Sequence, residues 1–289
     1  MKNVKKIMGL ALTLVLGLTA VGCSSTSSSS SSSASSEGKD SGVKEITMAS
    51  TYSLDETGFL ADTLKTFEEE NGVKVNVVAR GTGEAIELGK TGDADILFVH
   101  AKSKEEEFIK EGYGVDRTEI MYNYFVVLGP KGGEHNEKIS KLNVVDAFKY
   151  IADNNLVFLS RGDQSGTHVK ELSIWKEAGI ETPDFSNYNE SGKGQAETVK
   201  MASEMGGYVI TDKATYLSNK DNLDLEIVIG EDETLKNVYS VVRIKDIDDE
   251  TKAITDKLVE FYSSDEMKDT IREYGKDKYG EPLYFVIGE

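Results

Sequence analysis

Three short stretches of this 289-residue chain gather hydroxyls, glycines and one guanidinium in a pattern that could hold an anion. The first is Ala49-Ser50-Thr51-Tyr52-Ser53, running on to Thr57-Gly58. The second is Gly81-Thr82-Gly83-Glu84. The third is Ser160-Arg161-Gly162-Asp163-Gln164-Ser165-Gly166-Thr167-His168. Each sits where an apolar, strand-like run gives way to helical periodicity. A helix starting there presents unpaired N–H groups and a partial positive charge, and glycine lets the backbone approach closely. Hydroxyl and N–H donors suit an acceptor-only ion such as tungstate, molybdate or sulfate. Phosphate keeps a proton near neutrality and would want an acceptor, which Asp163 could be. The stretches offer no carboxylate pair for a metal and no phosphate-loop lysine. Gly81-Thr82-Gly83 matches neither GxGxxG nor GxxxxGK[ST].

The elements that must position these residues read as an alternation of strands and helices. The patterning predicts strands at 44–48, 73–78 and 95–99 with helices at 58–71 and 83–90 between them. Alternation of this kind predicts a parallel sheet covered by helices, with ligands at the carboxyl ends of the strands. Strand-like runs at 120–128 and 238–244 enclose a second α/β set: helices at 143–151, 165–178 and 194–205, and strands at 156–159, 207–211 and 224–229. Helices at 249–262 and 264–275 close the chain. One α/β unit inserted into another through two strand crossings gives two lobes, 44–123 with 241–289 and 124–240. A hinge then lies at the crossings and a ligand cleft between the lobes. The simpler alternative is a single doubly wound domain.

Residues 1–22 read as a secretory signal peptide: Lys2, Lys5 and Lys6 precede an apolar run from Ile7 to Val21, too short for a membrane span. Cys23 is the only cysteine, so no intramolecular disulfide can form. Residues 24–42 are mostly serine and read as a solvated tether. The chain carries 33 Lys and Arg against 51 Asp and Glu, a net charge of −18 that becomes −21 once the three lysines of the signal peptide are removed. That balance excludes a nucleic-acid partner and makes any anion site depend on local groups against an unfavourable long-range field.

Each feature has a plainer reading. A Ser or Thr before a helix is an ordinary N-cap. Arg161 could pair with Asp163 on the surface. His168, in the first turn of its helix, could donate to a ligand or cap the turn; His100 and His135 receive no site role, and Trp175 reads as core. A serine hydrolase using Ser165 and His168 is the enzyme alternative, but Ser165 lacks the glycine two residues before it that a nucleophile elbow uses, and no orienting acid is identifiable. A purely structural surface lipoprotein is the remaining class.

Taken together, Ser50-Thr51-Tyr52-Ser53 with Thr57-Gly58-Phe59-Leu60, Gly81-Thr82-Gly83-Glu84-Ala85, Gly92-Asp93-Ala94-Asp95, Val99-His100, Glu111-Gly112-Tyr113-Gly114, Met121-Tyr122-Asn123, the 160–168 stretch and Thr211-Asp212 with Thr215-Tyr216-Leu217 resemble the TupA-type tungstate-binding proteins, in that family's order. The resemblance implies a type II periplasmic-binding-protein fold, tungstate as ligand and delivery to an ABC permease and its ATPase. It also implies ligand contacts at Ser50, Thr51, Ser53, Thr82, Arg161, Ser165 and Thr167. Gly166 and His168 join this expected set as neighbours on the same helix start. Here Ser50-Thr51-Tyr52-Ser53 stands where the family usually has Thr-Thr-Thr-Ser. Ala20-Val21-Gly22-Cys23 resembles a lipobox, which implies lipidation of Cys23 and an extracytoplasmic, membrane-anchored protein. The full expectation is a monomeric binding protein rather than an enzyme, with no cofactor and no metal beyond tungsten in its oxyanion. Tungstate and molybdate differ too little in size for the residues to separate them, so molybdate, sulfate and phosphate remain alternatives.

Overall fold

The computed structural model describes residues 44–288. The expected signal peptide, Cys23 and the tether lie outside the described residues. From the N-terminal side come β1 (Lys44–Thr51), α1 (Tyr52–Asp55), α2 (Phe59–Asn71), β2 (Val73–Arg80), α3 (Thr82–Thr91), β3 (Ile96–Val99) and α4 (Lys102–Lys110). The long β4 (Gly114–Pro130) leads into α5 (Asn136–Ile139), α6 (Val144–Asp153), β5 (Phe158–Ser160), α7 (Gly166–Glu177), β6 (Tyr188–Glu190), α8 (Gln195–Met205), β7 (Tyr208–Asp212), α9 (Lys213–Asn219) and β8 (Leu225–Ile229). The chain closes with β9 (Lys236–Ile244), α10 (Asp249–Ser263), α11 (Asp265–Glu273), α12 (Lys276–Tyr279) and β10 (Phe285–Val286).

The strands join in the order β2-β1-β3-β9-β4-β7-β5-β6, with β8 and β10 also paired to β4. At each flank the pairing is parallel, as the βαβ alternation predicts: β1 with β2 and β3, and β5 with β6 and β7. The centre is antiparallel, which the expectation of a parallel sheet missed. There β9 pairs with β3 and with the first part of β4, while Phe125–Leu128 of β4 pairs with β7. The cause is β4 itself, a 17-residue strand that carries the chain from one flank to the other, with β9 running back beside it. Its polar start, Gly114 to Glu119, concealed about a third of its length from an apolar-run reading.

Two principal apolar cores lie along this sheet. Ile46, Phe59, Phe98, Tyr239, Tyr262 and Tyr284 anchor the first. Phe125, Phe148, Phe158, Trp175 and Ile210 anchor the second, where Trp175 is fully buried. In α2 the residues Phe59, Leu60, Leu64 and Phe67 recur at helical spacing and are all buried, each worth ~1.5–3 kcal/mol in transfer out of water. Helix α9 follows β7, yet its Ala214 and Leu217 pack into the first core. Helix α4 escaped the sequence reading because it is mostly charged. Its Glu105 is buried, where it accepts the Ala101 N–H at 2.6 Å and pairs with Arg117 at 2.8 Å.

Candidate oxyanion-binding site

The carboxyl ends of β1, β2, β3 and β5, and the helix starts that follow them, meet around one cavity of about 230 Å³. On one side, β1 ends in Thr51, the N-cap of α1. Tyr52, Ser53 and Glu56 from this turn line the cavity, as do Arg80, Gly81 and Thr82 where β2 hands over to α3. Thr51 Oγ1 lies 3.2 Å from Ser53 Oγ, which in turn lies 3.3 Å from Nε2 of His100, also on the lining. Thr82 is 1 % exposed, and its Oγ1 is buried without a hydrogen-bond partner.

The opposite wall comes from the β5–α7 connection and the start of α8. Gly162 adopts a left-handed φ of 61°, and a Cβ there would lie 2.8 Å from Cβ of Glu190, so a side chain would strain both backbone and packing. Ser165 N-caps α7, its Oγ accepting the His168 N–H at 3.3 Å. Arg161 Nη1 donates to Gln195 Oε1 at 2.7 Å, and Nη2 donates to Asp163. Gln195 Oε1 also accepts from Thr167 Oγ1 at 2.9 Å, while its Nε2 donates to Thr211 Oγ1 at 2.9 Å and to Asp212 Oδ2 at 3.0 Å. Asp212 is fixed in turn as the N-cap of α9, accepting from Thr215 N at 2.8 Å and Oγ1 at 2.7 Å. Arg161 Nε, like Thr82 Oγ1, is buried and unpartnered; among the described residues Glu171 Oε2 is the third such atom.

Only glycine fits at position 166. A Cβ there would sit 2.8 Å from His100 Cε1 and 3.2 Å from Thr82 Oγ1, so the start of α7 presses against the opposite wall. The cavity is smaller than the ~300–1,000 Å³ of drug-sized ligand sites, a size that suits a small ion.

Of the expected contacts, the structure brings Thr51, Ser53, Thr82, Arg161, Ser165, Gly166 and Thr167 to this cavity. It places Ser50 and His168 off the lining. Ser50 is fully buried, and its hydroxyl donates at 2.9 Å to the carbonyl of Phe98, its register partner on the neighbouring strand β3. His168 spends Nδ1 accepting the Gln164 N–H at 2.9 Å, a cap of the turn and not a base for Ser165. His100, Gln195, Glu56 and Arg80 went unassigned in the sequence. The signal that would have found His100 and Gln195 is the one used for the others: each stands where a strand hands over to a helix, Gln195 directly after Gly192-Lys193-Gly194.

Charge around the site is mixed. Burial, reinforced by Asp212, pushes the Glu56 carboxyl up, although Arg161 opposes the shift. Burial likewise raises Asp212 in spite of its hydrogen bonds from Thr215 and Gln195. Burial lowers His100 to about 4, so its ring is neutral at physiological pH. For Asp163, burial works against the charge, but hydrogen bonds from Ser165 and the Arg161 guanidinium hold the carboxyl below the usual range. An outer hollow of about 730 Å³ shares Tyr52, Gly81, Arg161 and Ser165 with the cavity and adds Glu84, Glu87, Asp93 and Lys104, so the approach is more acidic than the cavity it leads to.

Comparison with known proteins gives a consistent result. Residues 32–266 match the model of a PBP superfamily domain. The tungstate-binding protein TupA of Peptoclostridium acidaminophilum is 39% identical over 287 residues, 98% of each chain. Among solved structures, TupA from Desulfovibrio alaskensis G20 aligns with a TM-score of 0.74 at 34% identity, covering 86% of this chain and all of that one. The tungstate ABC transporter protein from Geobacter sulfurreducens aligns with a TM-score of 0.70 at 37% identity, covering 80% of this chain and 98% of its own.

Proposed function

Because this chain belongs to the PBP superfamily and, within it, to the family of TupA tungstate-binding proteins, we propose that it is the solute-binding component of an ABC importer, capturing tungstate and passing it to a membrane permease. The observation that carries this reading is the pair of buried, unpartnered donors on one small cavity: Thr82 Oγ1 from the β2–α3 junction and Arg161 Nε from the β5–α7 junction. A buried donor left without a partner costs ~1–3 kcal/mol. An acceptor-only dianion between the two would satisfy both, with Thr51, Ser53, Ser165, Thr167 and the N–H groups at the start of α7 completing its shell. The hydroxyl and guanidinium donors on the lining, together with relatives that are binding proteins, support a binding protein rather than an enzyme.

Around this site we assign lobes 44–123 with 241–289 and 124–240, with β4 and β9 as the crossings between them. Closure about those strands would bring the two walls onto the ion. A monomer held outside the cell by a lipid on Cys23, with tungstate as its ligand and the permease and its ATPase as partners, completes the proposal. Calorimetric titration of the full chain with tungstate, molybdate, sulfate and phosphate tests it. Tungstate should bind most tightly, with molybdate equal or weaker and the other two far behind. Tighter binding of phosphate than of tungstate would overturn the assignment.

A further inference from the structure

One ring on this donor-rich cavity shows the opposite polarity. His100 follows β3, with Nε2 3.3 Å from Ser53 Oγ and Nδ1 2.9 Å from Asn237 Oδ1. Asn237 lies on β9, and its Nδ2 donates at 2.9 Å to Oδ1 of Asn123, its cross-strand partner on β4. Asn123 Nδ2 in turn donates to the Tyr239 hydroxyl at 3.4 Å. The two asparagines are 1 % and 3 % exposed, and Tyr239 is fully buried, its ring 4.8 Å from that of His100. An amide oxygen only accepts, so in this arrangement the His100 proton sits on Nδ1. The neutral ring then has a bare Nε2, which takes the Ser53 proton and turns it away from the cavity.

A bare Nε2 cannot bond to an acceptor-only oxyanion. The same heavy-atom positions support a second arrangement, however, because turning a carboxamide by half a rotation exchanges its oxygen and nitrogen in place. Read in reverse, Tyr239 O–H donates to the Asn123 oxygen, Asn123 N–H to the Asn237 oxygen and Asn237 N–H to His100 Nδ1. The imidazole proton is then on Nε2 and the Ser53 hydroxyl is released. We propose that His100 is a direct ligand-contacting and specificity-determining residue of this site, and that an acceptor-only oxyanion reverses this hydrogen-bond chain so that His100 Nε2–H and Ser53 both donate to it. One proton leaves Nδ1 and one arrives at Nε2 by exchange with water, so the ring stays neutral and the net proton count is unchanged. The two asparagines tie β4 to β9, so the orientation of the ligand contact is set by the strands that cross the molecule. The inference rests on the oxyanion reading of the cavity and extends it to discrimination by protonation. Hydrogen phosphate can give its own proton to Nε2 and leaves the chain unreversed.

The test is a long-range proton–nitrogen NMR spectrum of the full chain labelled with ¹⁵N-histidine, with the His100 signals assigned by their loss in His100→Gln. Without anion the ring should be the Nδ1–H tautomer. Saturating tungstate, molybdate or sulfate should convert it to Nε2–H, and phosphate should leave it as Nδ1–H. His100→Ala should weaken tungstate at least tenfold, with His100→Gln, whose amide can donate, recovering part of the loss. Tungstate bound in the same sample with the ring still Nδ1–H would overturn the proposal, as would wild-type affinity in His100→Ala. If His100→Ala does not fold, the wild-type tautomer decides alone. Should tungstate give no heat with the wild type, the ligand assignment fails separately, and bound sulfate or molybdate then decides the role of His100 by the same tautomer readout. Binding of none of the four ions would overturn both.

Discussion

The two walls of the cavity are built on different plans. The wall from β5, α7 and α8 is braced: Arg161 and Thr167 both rest on Gln195, which rests on Asp212, which caps α9, so its charged donor is aimed before any ligand arrives. The wall from β1 to β3 is a run of hydroxyls whose protons can turn, Thr51 to Ser53 to His100, beside a Thr82 hydroxyl with no protein partner at all. A fixed cation supplies attraction and orientation, since a guanidinium presents its donors in a rigid plane. Rotatable hydroxyls supply adaptability at low ordering cost. Affinity should therefore reside mainly in the braced wall and ion discrimination mainly in the hydroxyl wall.

The sharpest break is Arg161→Ala. Losing a buried, charge-assisted donor should weaken tungstate by ~2–5 kcal/mol, measured by calorimetry on protein shown to be folded by circular dichroism. Arg161→Lys should recover only part, because a point charge cannot address two oxygens at once. An effect below about 1 kcal/mol would reduce Arg161 to a partner of Asp163. Next comes Gly166→Ala, which pushes a methyl group into His100 and Thr82 and holds the two walls apart; a loss of ~1–3 kcal/mol in binding is expected, the usual cost of overpacking.

On the hydroxyl wall, Thr82→Val should cost only ~0.5–1.5 kcal/mol of binding. The anion-free melting temperature should hold or rise, since the substitution removes a buried, unpartnered hydroxyl while keeping its shape. A fall in melting temperature without a fall in affinity would make Thr82 structural. The smallest effect, of opposite sign, belongs to Glu56→Gln. This carboxylate lines the cavity, so neutralising it should tighten tungstate by less than about 1 kcal/mol. Protonation does the same, so wild-type affinity should rise as pH falls through the raised Glu56 pKa, and the variant should lack that slope. Equal slopes in the two proteins would remove Glu56 from the account.

Much of this was legible in the sequence because the signals are local. Apolar periodicity marked α2, glycine and hydroxyl clusters marked the starts of α3 and α7, and the 160–168 stretch contained the braced arginine, while the short α1 was not foreseen. What stayed hidden depends on partners distant in the chain. Ser50 belongs to the right segment, but its hydroxyl is spent on the carbonyl of its β3 register partner Phe98; His168 belongs to the right helix, but its ring is held by Gln164. The strand-to-helix junction signal could have brought in Gln195 and His100, but their roles depend on Arg161, Asp212 and Asn237, contacts that spacing does not reveal. The antiparallel centre of the sheet was hidden in the polar start of β4, and α9 packs into the first core although it follows a strand of the other flank.

The central claim is a single tetrahedral oxyanion held between these two walls. It is tested most directly by anomalous diffraction at the tungsten edge from crystals of this protein grown with tungstate. One dominant peak is expected inside the 230 Å³ cavity, with oxygens in hydrogen-bond reach of Thr82 Oγ1 on one side and Arg161 Nε on the other. A peak elsewhere on the molecule, with those two donors still unpartnered in a protein that binds tungstate in solution, would contradict it.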